Sequence, residues 1–281
     1  MKLPIAICNE LFEEWSIAQI CQFCRPLGYS GLELAPFTLG PEPNRLEPSK
    51  IRAVKQTVAE EGMQIVGLHW LLAKTTGLHL TVQDRSIRTK TAKYLSELVE
   101  LCAELGGRVL VLGSPQQRSF PDGTSHGDAA KRAVETLSLV VPKLEQTEMV
   151  LAIEPLGPQE TNFLQTAASA VELIGQLGSK NVQLHLDVKA MSTEAISISE
   201  ILRKHGAALA HFHANDPNRL GPGMGAVDYR AFWPALIESG YRGWLSVEVF
   251  DFTPGPEAIA RQSIAYLNQM MCGGQLNDST C

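Results

Sequence analysis

MVLAIEPLGPQETNFLQTAASAVELIGQLGSKNVQLHLDV, residues 149–188, is the stretch on which the fold reading rests. A short apolar run rich in β-branched residues opens it (MVLAIEP, 149–155) and another closes it (VQLHLDV, 182–188). Between them, the apolar residues of Asn162–Leu177 recur at helical spacing, and Gly178 stands where such a helix stops. Strand, helix, strand in this order predicts two parallel strands joined by a helical crossover.

The unit recurs in both directions. Upstream lie PIAIC (4–8), GLELA (31–35), QIVGLHW (64–70) and RVLVLG (108–113); downstream lie ALAHFHA (208–214) and WLSVEVF (244–250). Helical patterns over Ser49–Glu61, Ser86–Leu105, Ala129–Leu144, Ile196–Lys204, Tyr229–Glu238 and Pro256–Met271 alternate with them. Gly28, Gly62, Gly106, Gly107 and Gly240 mark further helix ends. Eight such units predict an α/β fold closed into a single (β/α)₈ TIM barrel over residues 1–271, not an open sheet. The polar, Gly-rich 272–281 reads as a flexible C-terminal tail. The Pro- and Gly-rich stretches Pro36–Pro48 and Ser114–Gly127 read as long βα loops that cover a substrate.

Bulk properties narrow the function. The 281 residues carry 30 acidic and 24 basic side chains, net −6, so no overall positive field draws nucleic acid or an anionic membrane. No run of about 18 apolar residues predicts a spanning helix. The N-terminus lacks the pattern of a secretory signal, and the expected compartment is the cytoplasm. Six cysteines are scattered; Cys21 and Cys24 form a lone CxxC inside a helical pattern, where core packing is the better reading.

In a barrel of this kind the chemistry sits where the strands end. Ionisable residues cluster there: Glu33 in the second run, His69 in the third, Glu154 in the fifth, Asp187 in the sixth, His211 and His213 in the seventh, Glu248 in the eighth. Such groups are costly inside apolar strands unless paired or bound to metal. Alternation puts His185, Asp187 and Lys189 on one face, and His211, His213 and Asn215 on one face. His185 and His211 sit one pleat deeper, as expected of supporting hydrogen-bonding groups. Glu154, Asp187, His213 and Glu248 form a hard, oxygen-rich donor set with one nitrogen. That set suits Mn²⁺ best, with Mg²⁺ or Co²⁺ as alternatives, over a structural Zn²⁺ or an all-oxygen Ca²⁺ site. His69 and Trp70 are expected to line the pocket, and Glu33 to serve there or as an ion-pair partner.

AIEPLGPQE (152–160), LHLDVKAM (184–191), HFHANDPNRLGPGMG (211–225) and LSVEVF (245–250) resemble the xylose-isomerase-like barrel family of sugar isomerases and epimerases. Within it they resemble the D-tagatose 3-epimerase and hydroxypyruvate isomerase branch. The likeness is specific in the second half; GYSGLEL (28–34) and GLHW (67–70) carry it in the first. The resemblance implies metal ligation by Glu154, Asp187, His213 and Glu248, with Glu154 and Glu248 as the acid/base couple. It also implies substrate contacts from Glu160 and Arg219, and oligomers of this chain. One position departs: Ala190 stands where the ketose epimerases carry a His, and Lys189 on the inward face is a candidate replacement.

The expected chemistry is proton transfer next to the carbonyl of a small sugar or sugar-like substrate, through an enediolate. Return of the proton to the same carbon gives epimerisation; return to its neighbour gives aldose–ketose isomerisation. A lyase of the inosose dehydratase type would use the same site. An endonuclease IV-like repair nuclease needs further histidines where this chain has Ala190 and Asp228-Tyr229-Arg230. The Gly-rich 221–225 lacks the GxGxxG context of a dinucleotide site and reads as a shaped loop carrying Arg219.

Overall fold

Strands that are apolar on both faces must be covered on both, and this chain does so by closing its sheet inside a ring of helices. The computed structural model describes residues 2–272. Its strands are β1 (Ile5–Cys8), β2 (Gly31–Leu34), β3 (Gln64–Leu68), β4 (Val109–Leu112), β5 (Val150–Ile153), β6 (Val182–Asp187), β7 (Leu209–Ala214) and β8 (Leu245–Val247). Each pairs in parallel with the next, and β8 pairs with β1 to close the barrel. The helices are α1 (Ile17–Leu27), α2 (Pro36–Leu39), α3 (Pro48–Glu60), α4 (Arg85–Leu105), α5 (His126–Ser138), α6 (Val141–Thr147), α7 (Ala167–Leu177), α8 (Val188–Met191), α9 (Ile198–His205), α10 (Trp233–Glu238) and α11 (Pro256–Met271).

The eight expected strands are all present; the helix bounds differ in instructive places. The pattern over Ala129–Leu144 is two helices, α5 and α6, because Pro142 lies in the first turn of α6, where a missing N–H costs nothing. The pattern starting at Asn162 becomes helical only at Ala167, after Thr166 and Ser169 form a reciprocal capping box. Tyr229–Ala231 is a 3₁₀ turn ahead of α10. Helices α1, α4 and α7 end at Gly28, Gly106 and Gly178, all in the left-handed conformation that favours glycine. Cys272, placed in the expected tail, caps α11, and residues 273–281 lie outside the described residues.

Two interior layers follow from the closed sheet. The main core packs the strands against the helices, and Cys21 and Cys24 of α1 are buried in it. A smaller cluster of Ala6, Val66, Val109, Val111 and Ala152 packs separately, with Ala210 and Trp244 against it. The β6–β7 register slips by one residue: Leu184 pairs with Leu209, then His185 with His211 and Asp187 with His213. Ala210 is the extra residue, and this bulge re-aims the two histidines. No helix among the described residues is long and apolar enough to cross a membrane.

Candidate active site

Glu154 follows β5 and Glu248 follows β8 directly, while Asp187 ends β6 and His213 lies near the end of β7. All four are buried, and their ligand atoms lie within 4.8 Å of one another. The sequence-predicted donors therefore converge on one point.

Electrostatics tests whether a cation fits there. Burial, then the Glu248 and Asp187 carboxylates, push Glu154 up to about 8. Asp187 is raised as well, by burial above all, although Lys189 opposes the shift. Burial also works against ionised Glu248, yet His213 beside it, with hydrogen bonds from His213 and His69, holds it well below the usual carboxylate range. Three buried carboxylates at one point repel unless a positive charge sits among them. A divalent ion would supply that charge, and these residues could hold one.

Each of the four side chains is held from behind. His213 Nδ1 lies 3.0 Å from Glu248 Oε2, and its Nε2 lies 3.1 Å from Glu33 Oε1. His211 Nε2 contacts the other Glu33 oxygen at 2.8 Å. Burial opposes the charge on Glu33, but the two imidazoles hold its carboxyl well below the usual range. Asp187 Oδ1 accepts from the Ala190 backbone N at 2.6 Å, and Oδ2 accepts from Asn215 Nδ2. Glu248 Oε1 accepts from Trp70 Nε1 at 2.7 Å and lies 3.2 Å from His69 Nδ1. The buried Arg118 donates to the Glu154 carbonyl at 2.6 Å. Gly113, next to β4, lies so close to Glu154 that a Cβ would overlap the Glu154 carboxylate.

Above the four side chains a cavity of about 530 Å³ opens, lined by Glu154, Glu160, Glu248, Trp70, Arg219 and Phe250 among others. Trp70 stacks on Phe250 at 5.9 Å and 20°, and Phe37 flanks Trp70 at 5.9 Å. Lys189 Nζ donates to Glu160 Oε2 at 2.6 Å and sits 4.7 Å from the Phe250 ring centre. Arg219 donates to the Phe250 carbonyl at 3.1 Å. Trp70, Lys74 and Arg219, all on the cavity wall, adopt positive φ of 50°, 59° and 73°, a strained state for side-chain-bearing residues.

Two expected pocket residues lie elsewhere. Glu33 is wholly buried behind His213, held by two histidines, so its place is that of an ion-pair partner. His69 is also wholly buried, between Glu248 and Glu10. His211 occupies the deeper, supporting place expected of it. His185 does too, packed 4.2 Å from His213 ring to ring, but neither of its nitrogens has a hydrogen-bond partner among the described residues. Asp228 pairs with Arg230 at the surface, outside the four-residue cluster. A larger cavity of about 730 Å³, lined by Gln64, Arg108, Gln183 and Trp244 among others, opens where the strands begin and contains none of the four.

Sequence reading missed Glu10, Arg118, Gly113 and Phe250. Glu10 and Arg118 lie in a turn and a loop, where no periodicity assigns a direction; Gly113 and Phe250 close the runs 108–113 and 244–250, and alternation puts Phe250 on the face of Glu248. An acidic residue directly before the apolar pair Leu11-Phe12 is the one available sign for Glu10.

The family described as xylose isomerase-like TIM barrel matches residues 21–270. An L-ribulose 3-epimerase of Mesorhizobium japonicum is 28% identical over 189 residues, 66% of this chain; the match spans 62% of that relative's length. A 3-dehydro-D-guloside 4-epimerase of Escherichia coli K12 is 24% identical over 94% of this chain and 99% of its own. Among solved structures, a D-psicose 3-epimerase of Clostridium cellulolyticum H10 with D-tagatose superposes with a TM-score of 0.84 at 21% identity, covering 97% of this chain and all of that one.

Proposed function

The chain belongs to the xylose isomerase-like TIM barrel family, and from that premise we propose that it is a divalent-metal-dependent sugar epimerase or isomerase. The observation that carries this reading is the convergence of Glu154, Asp187, His213 and Glu248 within 4.8 Å. The relatives named above, 3- and 4-epimerases of sugars, support the reaction class. Mn²⁺ is the proposed ion, because three carboxylates and one imidazole suit it better than a thiolate-seeking metal. When bound, a divalent cation offsets the negative charge that develops on a carbonyl oxygen as the adjacent carbon loses a proton.

The side chains do the rest. Glu154 and Glu248 come from β5 and β8, so they can approach one carbon from different sides. One removes its proton and the other returns one. Trp70 and His69 fix Glu248 Oε1, leaving its carboxylate little freedom to swing. Glu160, held by Lys189, offers an acceptor for substrate hydroxyls. Arg219 offers donors to substrate oxygens, and Trp70 with Phe250 forms an apolar wall for a sugar face. With Ala190 where the ketose epimerases carry His, the Lys189–Glu160 pair is the proposed substitute for that contact. Four buried free thiols, Cys8, Cys21, Cys24 and Cys102, support a reducing compartment such as the cytoplasm.

Incubation with Mn²⁺ and a panel of ketoses, aldoses and inososes in deuterated buffer tests the assignment. Deuterium entering next to the carbonyl of a recovered sugar, with a new epimer or isomer, is the expected result. Loss of water from the substrate instead would place the chain among lyases.

A further inference from the structure

We propose that Glu10 is a positioning residue for Glu248, acting through His69. The inference rests on the metal-site reading of Glu248 given above and deepens it.

Glu10 lies in the 3₁₀ turn Asn9–Leu11 that follows β1, and only 5% of it is exposed. A carboxylate buried this deeply needs a partner, and neither of its oxygens has a directed hydrogen bond among the described residues. Its close neighbour is His69 Nε2, 2.8 Å from Oε2 in an ion-pair contact, and that nitrogen too has no directed hydrogen bond among the described residues. His69 follows β3, is wholly buried, and presents its other nitrogen to Glu248 Oε1 at 3.2 Å. The imidazole thus spans the gap between two carboxylates from opposite ends of the chain.

Glu10, His69 and Glu248 bring ligand atoms near one another, as a second cation site would. The geometry argues otherwise. Nδ1 faces Glu248 and Nε2 faces Glu10, on opposite edges of one ring, and a single ion cannot be ligated from both edges. The arrangement is a carboxylate–imidazole–carboxylate strut. Its far end, Glu10, sets how the ring is rotated; the ring and Trp70 together set Glu248 Oε1; His213 takes Oε2. The same His69 ring packs edge-on against His213 at 5.7 Å, so a loose ring would disturb two proposed ligands at once. Outer groups that orient ligands in this way govern affinity for the ion.

The test is Mn²⁺ titration by calorimetry of the full chain after chelation, with the melting temperature of each chelated protein as a check on folding. Glu10→Ala and His69→Ala should each weaken Mn²⁺ binding by about tenfold or more, the range for lost orienting partners. The double variant should bind no more weakly than His69→Ala alone, because Glu10 acts only through that ring. Glu10→Gln, which keeps the shape and an acceptor but not the charge, should fall between wild type and Glu10→Ala, and it carries the test if the alanine variant does not fold. Wild-type affinity in both Glu10 variants, or losses that multiply in the double variant, would overturn the role of Glu10. Failure of the wild type to bind Mn²⁺ would overturn the metal reading itself and this inference with it.

Discussion

Glu33 Oε1 lies 3.1 Å from His213 Nε2, while the other ring nitrogen faces Glu248 Oε2 at 3.0 Å. The ring is thereby held between two carboxylates, with Nδ1 toward Glu248 and Nε2 toward Glu33. A carboxylate behind a ligating imidazole sets its tautomer and raises its basicity. Glu33→Gln should weaken Mn²⁺ binding by about 10- to 100-fold, read by metal analysis after dialysis. Glu33→Ala leaves two buried imidazoles without their carboxylate and should cost about 3–5 kcal/mol of stability, measured by urea unfolding.

Glu154→Gln keeps the shape of the side chain but removes its capacity to take up a proton. Deuterium exchange into a true substrate should vanish. Exchange at the wild-type rate would remove Glu154 from the acid/base couple.

Gly113→Ala is expected to inactivate without unfolding. A Cβ there would overlap the Glu154 carboxylate, which must turn away from the site. The expected result is a folded protein, by circular dichroism, that retains no Mn²⁺; retention of a full equivalent would contradict the packing described.

Lys189→Met releases Glu160 from its 2.6 Å partner but leaves the four proposed ligands intact. Metal content should stay at the wild-type level while kcat/KM falls at least about tenfold, the size of one lost charge-assisted contact. A parallel loss of metal would mean that Lys189 supports Asp187 instead.

The pH dependence has a definite sign when the ion is chelated away. Burial and its carboxylate neighbours raise Glu154 from 4.5 to about 8, so the folded chain holds a proton that the unfolded chain has released. His69 and His213 are raised above 6.5: burial opposes this, but their carboxylate neighbours prevail. Their contribution is full below pH 6.5 and fades as pH rises through the folded values. Glu33 and Glu248, both depressed below 4.5, are ionised in both states in this range, and His185, lowered below 6.5, is neutral in both above that value. Stability in chelator should therefore fall between pH 6.5 and about 8. Mn²⁺ should restore it most at the upper end, where fewer protons must be displaced. Melting curves with and without Mn²⁺ decide this.

Much of the barrel is legible because most strands are short apolar runs bounded by Gly, Pro or polar residues. The four converging side chains are legible for a related reason: Asp187 in VQLHLDV and His213 in ALAHFHA are ionisable residues in largely apolar segments. What lies behind them is not. Strand alternation gives Glu33 an inward direction but not a depth, and the β6–β7 register slip at Ala210, beside the two histidines that meet Glu33, cannot be read from alternation. Glu10 and Arg118 reach the site from a turn and a loop, and their position depends on packing between distant segments. Helix patterns overran their true limits at Pro142 and Thr166, where local backbone chemistry decided against apolar spacing.

Anomalous diffraction from crystals soaked in Mn²⁺ tests the central claim most directly. One strong peak is expected in contact with carboxylate oxygens of Glu154, Asp187 and Glu248 and with Nδ1 of His213. A fully occupied peak elsewhere, or none at these four side chains at saturating Mn²⁺, would contradict it.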